Sequence, residues 1–367
     1  MGEANENRVL VCPLGWGLGH ASRLIPIITR FQKLGFEIIA AGDDLQMQYI
    51  TTYFPDIKTI IFPSFNVRLA SGSNQLIPIL GIALRLPYHT VREHFALKGI
   101  VREHRINLII SDNRYGLWCK GIKSVLITHQ LRVLFPKPFR FLEKVGMWST
   151  RRISKKFTYC WIPDYPDDKN LAGKLSHPRA LTSNSRYIGL LSRFQGIRVD
   201  RCSQEWDLVG IASGPSPQRE IFIELIGRFS KRHNLKTLIV KGNPAEGIDI
   251  YQDNGIFYAG HLDDIDFAKV ILSSKYLITR AGYSTIMDLT ALGVSGLIIP
   301  TPGQTEQEYL ADYLSKNGLF KTCKQSELES IDISIAQSAH IPINKPDELF
   351  ENVLQDFFST KNGVELN

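Results

Sequence analysis

Short apolar runs rich in valine and isoleucine alternate with segments of helical periodicity along the chain. In the first half these runs are RVLVCP, FEIIAA, KTIIF, NLIISD, SVLIT and CWIP, and in the second half WDLVGIAS, KTLIVK, GIFYA, KYLIT and GLIIP. Strands that alternate with helices form parallel sheets covered by helices. The two sets therefore predict an α/β protein with two Rossmann-like domains.

The stretch between the two sets gives the predicted domain boundary. Residues 191–204 are basic, poorly periodic and end just before the second set begins. We expect a first domain over residues 1–190, a linker over 191–204 and a second domain over 205–345. Residues 346–367 open with a Pro-Asp helix start and continue with helical apolar spacing, which predicts a closing helix and tail that could pack back on the first domain. The length of 367 residues is sufficient for two such domains.

Composition places the chain among globular proteins. Hydrophobic residues make up 44% and charged residues 22% of the sequence, and no apolar run approaches the ~18 residues of a membrane span. The polar N-terminus lacks the layout of a secretory signal, so a cytoplasmic location is expected. The five cysteines contain no C-x-x-C pair, which argues against a disulfide framework and against a zinc site.

The net charge of +7 is concentrated between residues 131 and 157. One acid, Glu143, stands there among eight basic residues and five interleaved aromatic ones. This combination is typical of a surface that binds anionic lipid headgroups, which would place the protein at the inner face of the cytoplasmic membrane. A solvated basic face with inward-packed aromatics is the alternative. Nucleic acid is not expected, since the chain carries no nucleic-acid module signature. The basic residues are Arg132, Lys137, Arg140, Lys144, Arg151, Arg152, Lys155 and Lys156, and the aromatic ones are Phe135, Phe139, Phe141, Trp148 and Phe157.

A glycine cluster follows the first apolar run, in VCPLGWGLGHASRLIPIITRF. The glycines at Gly15, Gly17 and Gly19 do not have the G-x-G-x-x-G spacing of a dinucleotide loop, which makes a nicotinamide dehydrogenase the least favoured enzyme class. The alternative is that the glycine cluster only forms a tight turn between a strand and a helix. His20 comes next, and a histidine at a helix start can act as a general base near neutral pH, although a structural histidine is nearly as well supported by this motif alone.

The second half contains YLITRAGYSTIMDL, in which a strand runs through Arg280 to Gly282 and a helix follows. We expect Ser284 and Thr285 to cap this helix and Asp288 to lie exposed in its first turns. Unpaired N–H groups and the positive dipole end of such a helix suit a diphosphate, and a carboxylate one turn further in could reach both hydroxyls of a ribose.

The stretch PTPGQTEQEY follows the next strand and turns sharply. It presents Gln307 and Glu308, whose side chains suit the hydroxyls of a sugar. An ordinary solvated helix start is the alternative.

These motifs together resemble GT-B glycosyltransferases, in particular the family 28 group that includes the peptidoglycan-precursor N-acetylglucosaminyltransferases. The resemblance is carried by GWGLGH, ASGPSPQRE, AGHLDD and the two stretches above, and it is stronger in the second half. SDNRYG and TPGQTEQEY mark a bacterial branch of such transferases. The resemblance implies two Rossmann-like domains that face a central cleft, with the acceptor on the first domain and the donor on the second.

The resemblance also implies a role for each donor-side residue. A diphosphate would meet the helix start near Ser213, the uracil of UDP would meet Leu262, and the ribose would meet Asp288. His261 stands where the family has an aromatic ring, Asp288 replaces a glutamate and Glu308 replaces a second glutamine, so base and sugar stay open. The donor-side residues are Ser213, Gly214, Arg219, His261, Leu262, Arg280, Gly282, Ser284, Thr285, Asp288, Gln307 and Glu308.

The expected reaction is an inverting transfer of a sugar from a nucleoside diphosphate to an acceptor hydroxyl. A lipid-linked or cell-envelope saccharide is the candidate acceptor. His20 would be the base, Asp112 would hold its imidazole, and Arg280 or Arg219 would stabilise the leaving diphosphate. Neither a metal nor a cofactor is expected. The acceptor-side candidates are Gly17, Gly19, Arg114 and His129. A UDP-sugar 2-epimerase or hydrolase and a non-catalytic nucleotide-sugar-binding subunit remain as alternatives.

Overall fold

The computed structural model describes residues 7–62, 76–136, 139–197, 199, 204–342 and 348–359. Two compact units divide the chain between Leu191 and Ser192, and the last helix belongs to the first unit. The predicted linker is therefore shorter than expected at its start, because Ser192 and Phe194 already pack in the second unit. Residues 198 and 200–203 of that linker lie outside the described residues.

The first unit is built on a seven-stranded parallel sheet. Its strands are β1 Arg8–Cys12, β2 Glu37–Gly42, β3 Lys58–Ile61, β4 Leu108–Asp112, β5 Lys123–Ile127, β6 Tyr159–Ile162 and β7 Ser185–Tyr187. Their order is β3-β2-β1-β4-β5-β6-β7, and every pair is parallel. The chain therefore builds one side of the sheet from β1 and then crosses to the other side at β4. Such a switch point leaves a crevice at the carboxyl ends of the two central strands.

Helices connect these strands. They are α1 Leu18–Ser22, α2 Ile25–Lys33, α3 Asp44–Tyr53, α4 Leu76–Glu103 and α5 Leu142–Ser154. The helix predicted after the glycine cluster is present as α2, and Ile27, Ile28 and Phe31 are fully buried against the sheet. Gly35 ends it with φ 81°, a conformation that glycine adopts at little steric cost.

The second unit repeats this architecture with a sheet in the order β10-β11-β9-β8-β12-β14-β15. All its strand pairs are parallel except β10 with β11. The chain crosses from one side of the sheet to the other between β8 and β12, which makes this pair the second switch point. The strands are β8 Leu208–Ile211, β9 Thr237–Val240, β10 Tyr251–Asp253, β11 Ile256–Ala259, β12 Tyr276–Arg280, β13 Val294–Ser295, β14 Leu297–Ile299, β15 Lys321–Thr322 and β16 Ala339–His340, of which β13 and β16 form a separate antiparallel pair.

Between the described residues 204 and 342, the second unit contains the helices α6 Gln218–Arg232, α7 Asp264–Ser273, α8 Tyr283–Ala291 and α9 Thr305–Lys316. Each follows a strand of the sheet, so the start of each helix lies near the carboxyl end of a strand. Phe222, Ile226 and Phe229 of α6 are fully buried in the core of this unit. The predicted α/β class with two Rossmann-like units is confirmed.

The last helix, α10 Glu348–Ser359, packs on the first unit. The ring of Phe357 lies 5.3 Å from that of Tyr159 and 5.8 Å from that of Trp161, between ring centroids. Lys123 Nζ donates a hydrogen bond of 3.2 Å to the carbonyl oxygen of Phe357. The core of the first unit is therefore completed by residues that follow the whole second unit in sequence.

Candidate active site

The first candidate site lies at the switch point of the first unit. The loop after β1 enters α1 through Gly17, whose φ of 110° is accessible to glycine and strained for other residues. His20 stands on α1, and Asp112 is the last residue of β4, the strand beside β1. The topology alone therefore brings together two residues that are 92 positions apart.

The imidazole of His20 contacts the carboxylate of Asp112. His20 Nδ1 lies 2.9 Å from Asp112 Oδ2. Asp112 is fully buried, whereas the side chain of His20 is 16% exposed. If Nδ1 carries the proton and donates it to this hydrogen bond, Nε2 keeps a lone pair that can accept a proton.

Arg23, which the sequence interpretation did not include, completes this cluster. Its Nε donates a 2.7 Å hydrogen bond to Asp112 Oδ2, and its Nη2 donates to Asp112 Oδ1. Nη2 also lies 2.9 Å from His20 Nδ1. The i,i+3 spacing of His20 and Arg23 puts both side chains on one face of a helix, and that spacing is the signal that could have identified Arg23.

These charges shift both titrations in the cluster. Burial lowers the pKa of His20, the neighbouring Arg23 and His129 lower it further, and Asp112 only partly opposes them. Burial alone would raise the pKa of Asp112, but the positive charge of Arg23 and the contact with His20 hold it below its ordinary value. At neutral pH the cluster therefore consists of a neutral imidazole, a carboxylate and a guanidinium.

The acceptor-side candidates are placed differently. His129 is buried and its Nδ1 lies 3.4 Å from Arg23 Nη1, so it joins the cluster. Gly19 precedes His20 on α1. Arg114 is not brought to the cluster: its buried guanidinium pairs with Glu93 at 2.9 Å and lies 4.4 Å above the ring of Phe62. A buried ion pair inside the unit accounts for this arginine.

The second candidate site lies at the switch point of the second unit. Ser213 and Gly214 follow β8, and Gly214 has a φ of 112° that favours glycine. The next helix, α6, has Pro217 at its N-cap and no side-chain cap. The guanidinium of Arg219 pairs with its neighbour Glu220 at 3.0 Å.

Arg280 ends β12, the strand beside β8, and is almost fully buried. Its Nη2 donates a 3.1 Å hydrogen bond to the carbonyl oxygen of Gln218, and its guanidinium lies 3.9 Å from the ring centroid of Phe222. Its Nη1 has no hydrogen-bond partner among the described residues. Burial lowers the pKa of Arg280 to about 9, which leaves the side chain positively charged at neutral pH.

The helix after Arg280 departs from the prediction in two ways. Gly282, and not Ser284 or Thr285, occupies the N-cap of α8, so no side chain caps this end. Asp288 was expected to be exposed but is half-buried, and it accepts a 2.6 Å hydrogen bond from the hydroxyl of Ser192. Burial raises the pKa of Asp288 to about 6 against the lowering effects of Arg193 and Ser192.

The predicted base-binding residues lie between β11 and α7. The backbone N–H of His261 donates to the carbonyl oxygen of Gly247 at 3.0 Å, and Leu262 is buried. Burial, together with the charge of Arg193, lowers the pKa of His261 to about 4, so this imidazole is neutral. Asp263 caps α7 by accepting from the backbone N–H of Asp266 at 2.8 Å.

Gln307 and Glu308 stand on the first turns of α9. Gln307 Oε1 accepts from the backbone N–H of Thr301 at 2.8 Å, and Glu308 Oε1 accepts from that of Gly303 at 2.8 Å. These two oxygens therefore fix the loop before α9, and the contact of the two side chains with sugar hydroxyls stays a prediction.

Comparisons with known proteins identify the kind of enzyme. Residues 233–352 match the model of the glycosyltransferase family 28 C-terminal domain. A Haemophilus influenzae protein, UDP-N-acetylglucosamine--N-acetylmuramyl-(pentapeptide) pyrophosphoryl-undecaprenol N-acetylglucosamine transferase, is 20% identical over 333 residues, which cover 88% of this chain and 87% of that protein. This chain is a glycosyltransferase.

Solved structures show that the glycosyltransferase has the GT-B fold. It is similar to MurG of Acinetobacter baumannii, with a TM-score of 0.52 and 14% identity over 90% of this chain and 88% of that one. It is also similar to the spinosyn rhamnosyltransferase SpnG in complex with thymidine diphosphate, with a TM-score of 0.58 and 14% identity over 95% of this chain and 94% of that one. The family match spans Arg280, Asp288 and Gln307 and leaves the His20 cluster outside it.

The basic segment of residues 131–157 forms α5 and its flanks, and residues 137–138 lie outside the described ones. Phe141, Val145 and Trp148 are exposed, and the guanidinium of Arg152 lies 5.5 Å from the ring centroid of Trp148. Phe157 is buried, so inward packing applies to part of the segment. No helix in the described ranges is long and apolar enough to cross a bilayer. The exposed basic residues are Arg140, Lys144, Arg151, Arg152, Lys155 and Lys156.

Proposed function

We propose that this glycosyltransferase moves a sugar from UDP to an acceptor hydroxyl with inversion at the anomeric carbon. The contact between His20 and Asp112 carries the proposal, because it supplies a base whose second nitrogen is open to a substrate. The first unit provides the base, and the second unit holds the donor.

The reaction is a single displacement. The acceptor oxygen forms a bond to the anomeric carbon while the bond from that carbon to the diphosphate oxygen breaks. The acceptor proton passes to His20 Nε2, and the nucleoside diphosphate leaves with the bonding electrons. Asp112 stabilises the imidazolium that forms, and base assistance of this kind contributes roughly 100 to 10,000-fold to the rate.

Arg280 supports the donor side of the proposal. A buried guanidinium with an N–H that lacks a partner among the described residues favours an anion, and the α6 and α8 N-termini near it have no side-chain caps. These groups would offset the charge that develops on the leaving diphosphate. We therefore expect turnover that persists when divalent metals are chelated.

The names of similar proteins guide the choice of nucleotide. The Haemophilus influenzae relative is named for UDP-N-acetylglucosamine, and the spinosyn enzyme was solved with thymidine diphosphate. Both nucleotides are pyrimidine nucleoside diphosphates. We propose UDP for this chain, with the carboxylate of Asp288 on the ribose.

A thermal-shift panel of UDP-, dTDP-, GDP- and ADP-sugars tests the donor, because a ligand that binds only the folded state raises the midpoint. We expect the largest rise with a UDP-sugar, and a larger rise with another base would replace UDP. The preferred donor is then incubated with and without lipid-linked acceptors. Free sugar released without an acceptor would identify a hydrolase, and binding without any turnover would identify a nucleotide-sugar-binding subunit.

We further propose a lipid-linked acceptor, reached at an anionic membrane surface through α5. Each exposed Lys or Arg near such a surface contributes about 1 kcal/mol, and exposed aromatic rings suit the interface. The protein should sediment with vesicles that contain anionic lipid and leave them as salt rises.

Charge reversal tests the surface. Reversing Arg151, Arg152, Lys155 and Lys156 to Glu should abolish sedimentation. A matched control reverses four exposed cations of the second unit and should leave sedimentation unchanged; these are Arg228, Lys269, Lys316 and Lys324. If the wild-type protein ignores the vesicles at low salt, a water-soluble acceptor replaces the lipid-linked one.

A further inference from the structure

Arg23 is a buried arginine at the candidate base, and the displacement described above does not use it. We propose that Arg23 is a positioning residue that fixes the Asp112 carboxylate and keeps the His20 imidazole unprotonated at neutral pH. The proposal rests on the proposed role of His20 as the base.

The hydrogen bonds of Asp112 support the positioning role. Arg23 takes both oxygens of the carboxylate, with Nε at 2.7 Å from Oδ2 and Nη2 on Oδ1. A guanidinium that binds both oxygens fixes the plane of the carboxylate. Oδ2 is then held where it can also accept from His20 Nδ1 at 2.9 Å.

The same guanidinium bears on the tautomer of His20. Its Nη2 lies 2.9 Å from His20 Nδ1, the nitrogen that also contacts Asp112. With the proton on Nδ1, His20 donates to the carboxylate and Nε2 is a base. With Nδ1 unprotonated, Arg23 donates to it and Nε2 carries the proton, so the imidazole cannot take another from a substrate. The charge-assisted bond from Nδ1 to a fixed carboxylate favours the first tautomer.

Charge balance supports the second part of the proposal. When His20 gains a proton, two cations share one carboxylate. The titratable groups that act on His20 are Asp112 from β4, Arg23 from the C-cap of α1 and His129 after β5. The helix α3 packs against α1, and its Gln46 carries a neutral amide that adds no charge near His20. This amide donates to the carbonyl oxygens of Leu14 and Gly17. Arg23 is therefore the one permanent positive charge among the described groups that act on the imidazole.

Removal of Arg23 would free Asp112 to form an undivided ion pair with the imidazolium. His20 would then hold its proton at neutral pH and lose its function as a base. The substitution Arg23→Met tests this, with the pKa of His20 measured by NMR titration of its ring C–H signal, which His20→Asn assigns. We expect an upward shift of about one unit or more, since a like charge at contact distance is removed. The acid limb of kcat/KM should move upward by the same amount.

Two other substitutions keep the test usable if Arg23→Met does not fold. Arg23→Lys retains the charge and should keep the pKa of His20 low, whereas Arg23→Gln loses it and should raise the pKa. Arg8→Met is the matched control, because it removes an arginine that pairs with Glu37 at 2.6 Å in the same unit and should leave the titration of His20 unchanged. Equal His20 pKa values in the Lys and Gln variants, or an unchanged pKa in folded Arg23→Met, overturn the proposal.

The double variant, which combines Arg23→Met with His20→Ala, separates this proposal from the proposed function. If Arg23 acts through His20, Arg23→Met should add no further loss of kcat to His20→Ala, and independent losses that multiply would overturn the coupling. If His20→Ala retains its turnover, the proposed base is wrong. The NMR titration still reports in that case whether Arg23 controls the charge of His20, because it requires no activity.

Discussion

The two sheets of this glycosyltransferase place candidate residues at equivalent switch points. The charged side chains at the two points differ in how completely their hydrogen bonds are satisfied within the protein. Near β1 and β4, the side chains of Arg23, Asp112 and His20 form hydrogen bonds with one another at donor–acceptor distances below 3 Å. The Nε2 edge of the imidazole is left open. At β8 and β12, Arg280 retains an N–H without a partner among the described residues, and the α8 N-terminus has no side-chain cap. A proton-transfer group must be oriented before the substrate arrives, whereas an anion site must offer unsatisfied donors to the substrate.

The difference also concerns stability. A buried donor without a partner costs roughly 1–3 kcal/mol, which a bound anion would recover. We therefore expect ligand binding to stabilise the second unit more than the first. The following variants test how far the two units differ.

The largest expected effect is on stability of the first unit alone. Phe357→Ala should lower the free energy of unfolding by about 3–5 kcal/mol, because the ring is buried among Tyr159 and Trp161. Calorimetric unfolding measures this, and Phe95→Ala, at a ring that is 65% exposed, is the control. UDP affinity should not change. A large loss of affinity would show that the two units are not independent in this respect.

The second effect is on the chemical step. His20→Ala should reduce kcat by at least about 100-fold and leave the Kd for UDP nearly unchanged, since the proposed base and the proposed donor residues belong to different units. Steady-state kinetics and calorimetry measure the two quantities. His340→Ala, at an exposed histidine, should leave both unchanged. Retention of most of the turnover in His20→Ala would return this residue to a structural role.

The third effect is on UDP binding, which the second variant should leave unchanged. Arg280→Met should weaken UDP binding by about 1.5–3 kcal/mol, the range for a hydrogen bond to a charged group. Calorimetry measures this, with Arg228→Met as the control at an exposed arginine that pairs with Glu329. Equal affinity of folded Arg280→Met and wild-type protein would exclude Arg280 from the diphosphate site.

The smallest effect is a pH dependence of donor binding. Because burial raises the pKa of Asp288 to about 6, the side chain loses its charge as the pH falls from 7 to 5. A neutral acid accepts hydrogen bonds less well than a carboxylate, so UDP affinity should fall several-fold, by about 1 kcal/mol. Asp288→Asn should bind UDP more weakly and with no such dependence. A flat profile for the wild-type protein would separate Asp288 from the ribose.

The unliganded protein should show the opposite sign. A carboxyl group with a raised pKa favours folding below about pH 4, and this contribution is lost as the pH rises through about 6. The stability of wild-type protein relative to Asp288→Asn should therefore decline from pH 4 to pH 7. Thermal unfolding at several pH values measures the difference, and a constant difference would contradict the raised pKa.

Sequence periodicity was sufficient for the fold because each unit buries its sheet on both faces. Continuous apolar runs such as NLIISD and KYLIT therefore marked β4 and β12 without ambiguity. Strands of two residues, such as β13 and β16, have no periodicity to detect. Their pairing depends on tertiary contacts alone.

The residues of the two candidate sites could be predicted only in part, because some of their contacts depend on the tertiary fold. His20 and Asp112 could be predicted because strand ends locate residues in any parallel sheet. Arg23 was missed because an arginine is usually exposed: the i,i+3 spacing places it beside His20, but only the folded unit buries its guanidinium against Asp112. Asp288 and Gln307 have the residue types expected of ligand-binding side chains, but their hydrogen bonds to Ser192 and to the backbone of Thr301 arise only from the folded loops.

The position of α10 in the first unit bears on how the chain is made. Residues 192–345, which divide the first unit in sequence, must be translated before Phe357 emerges. At about 5–20 residues per second this takes roughly 8 to 30 s. During that interval the nascent first unit exposes the apolar surface of Trp161 that α10 later covers. Most of the second unit lies within this one stretch of sequence and can fold on the ribosome before the last helix of the first unit is made.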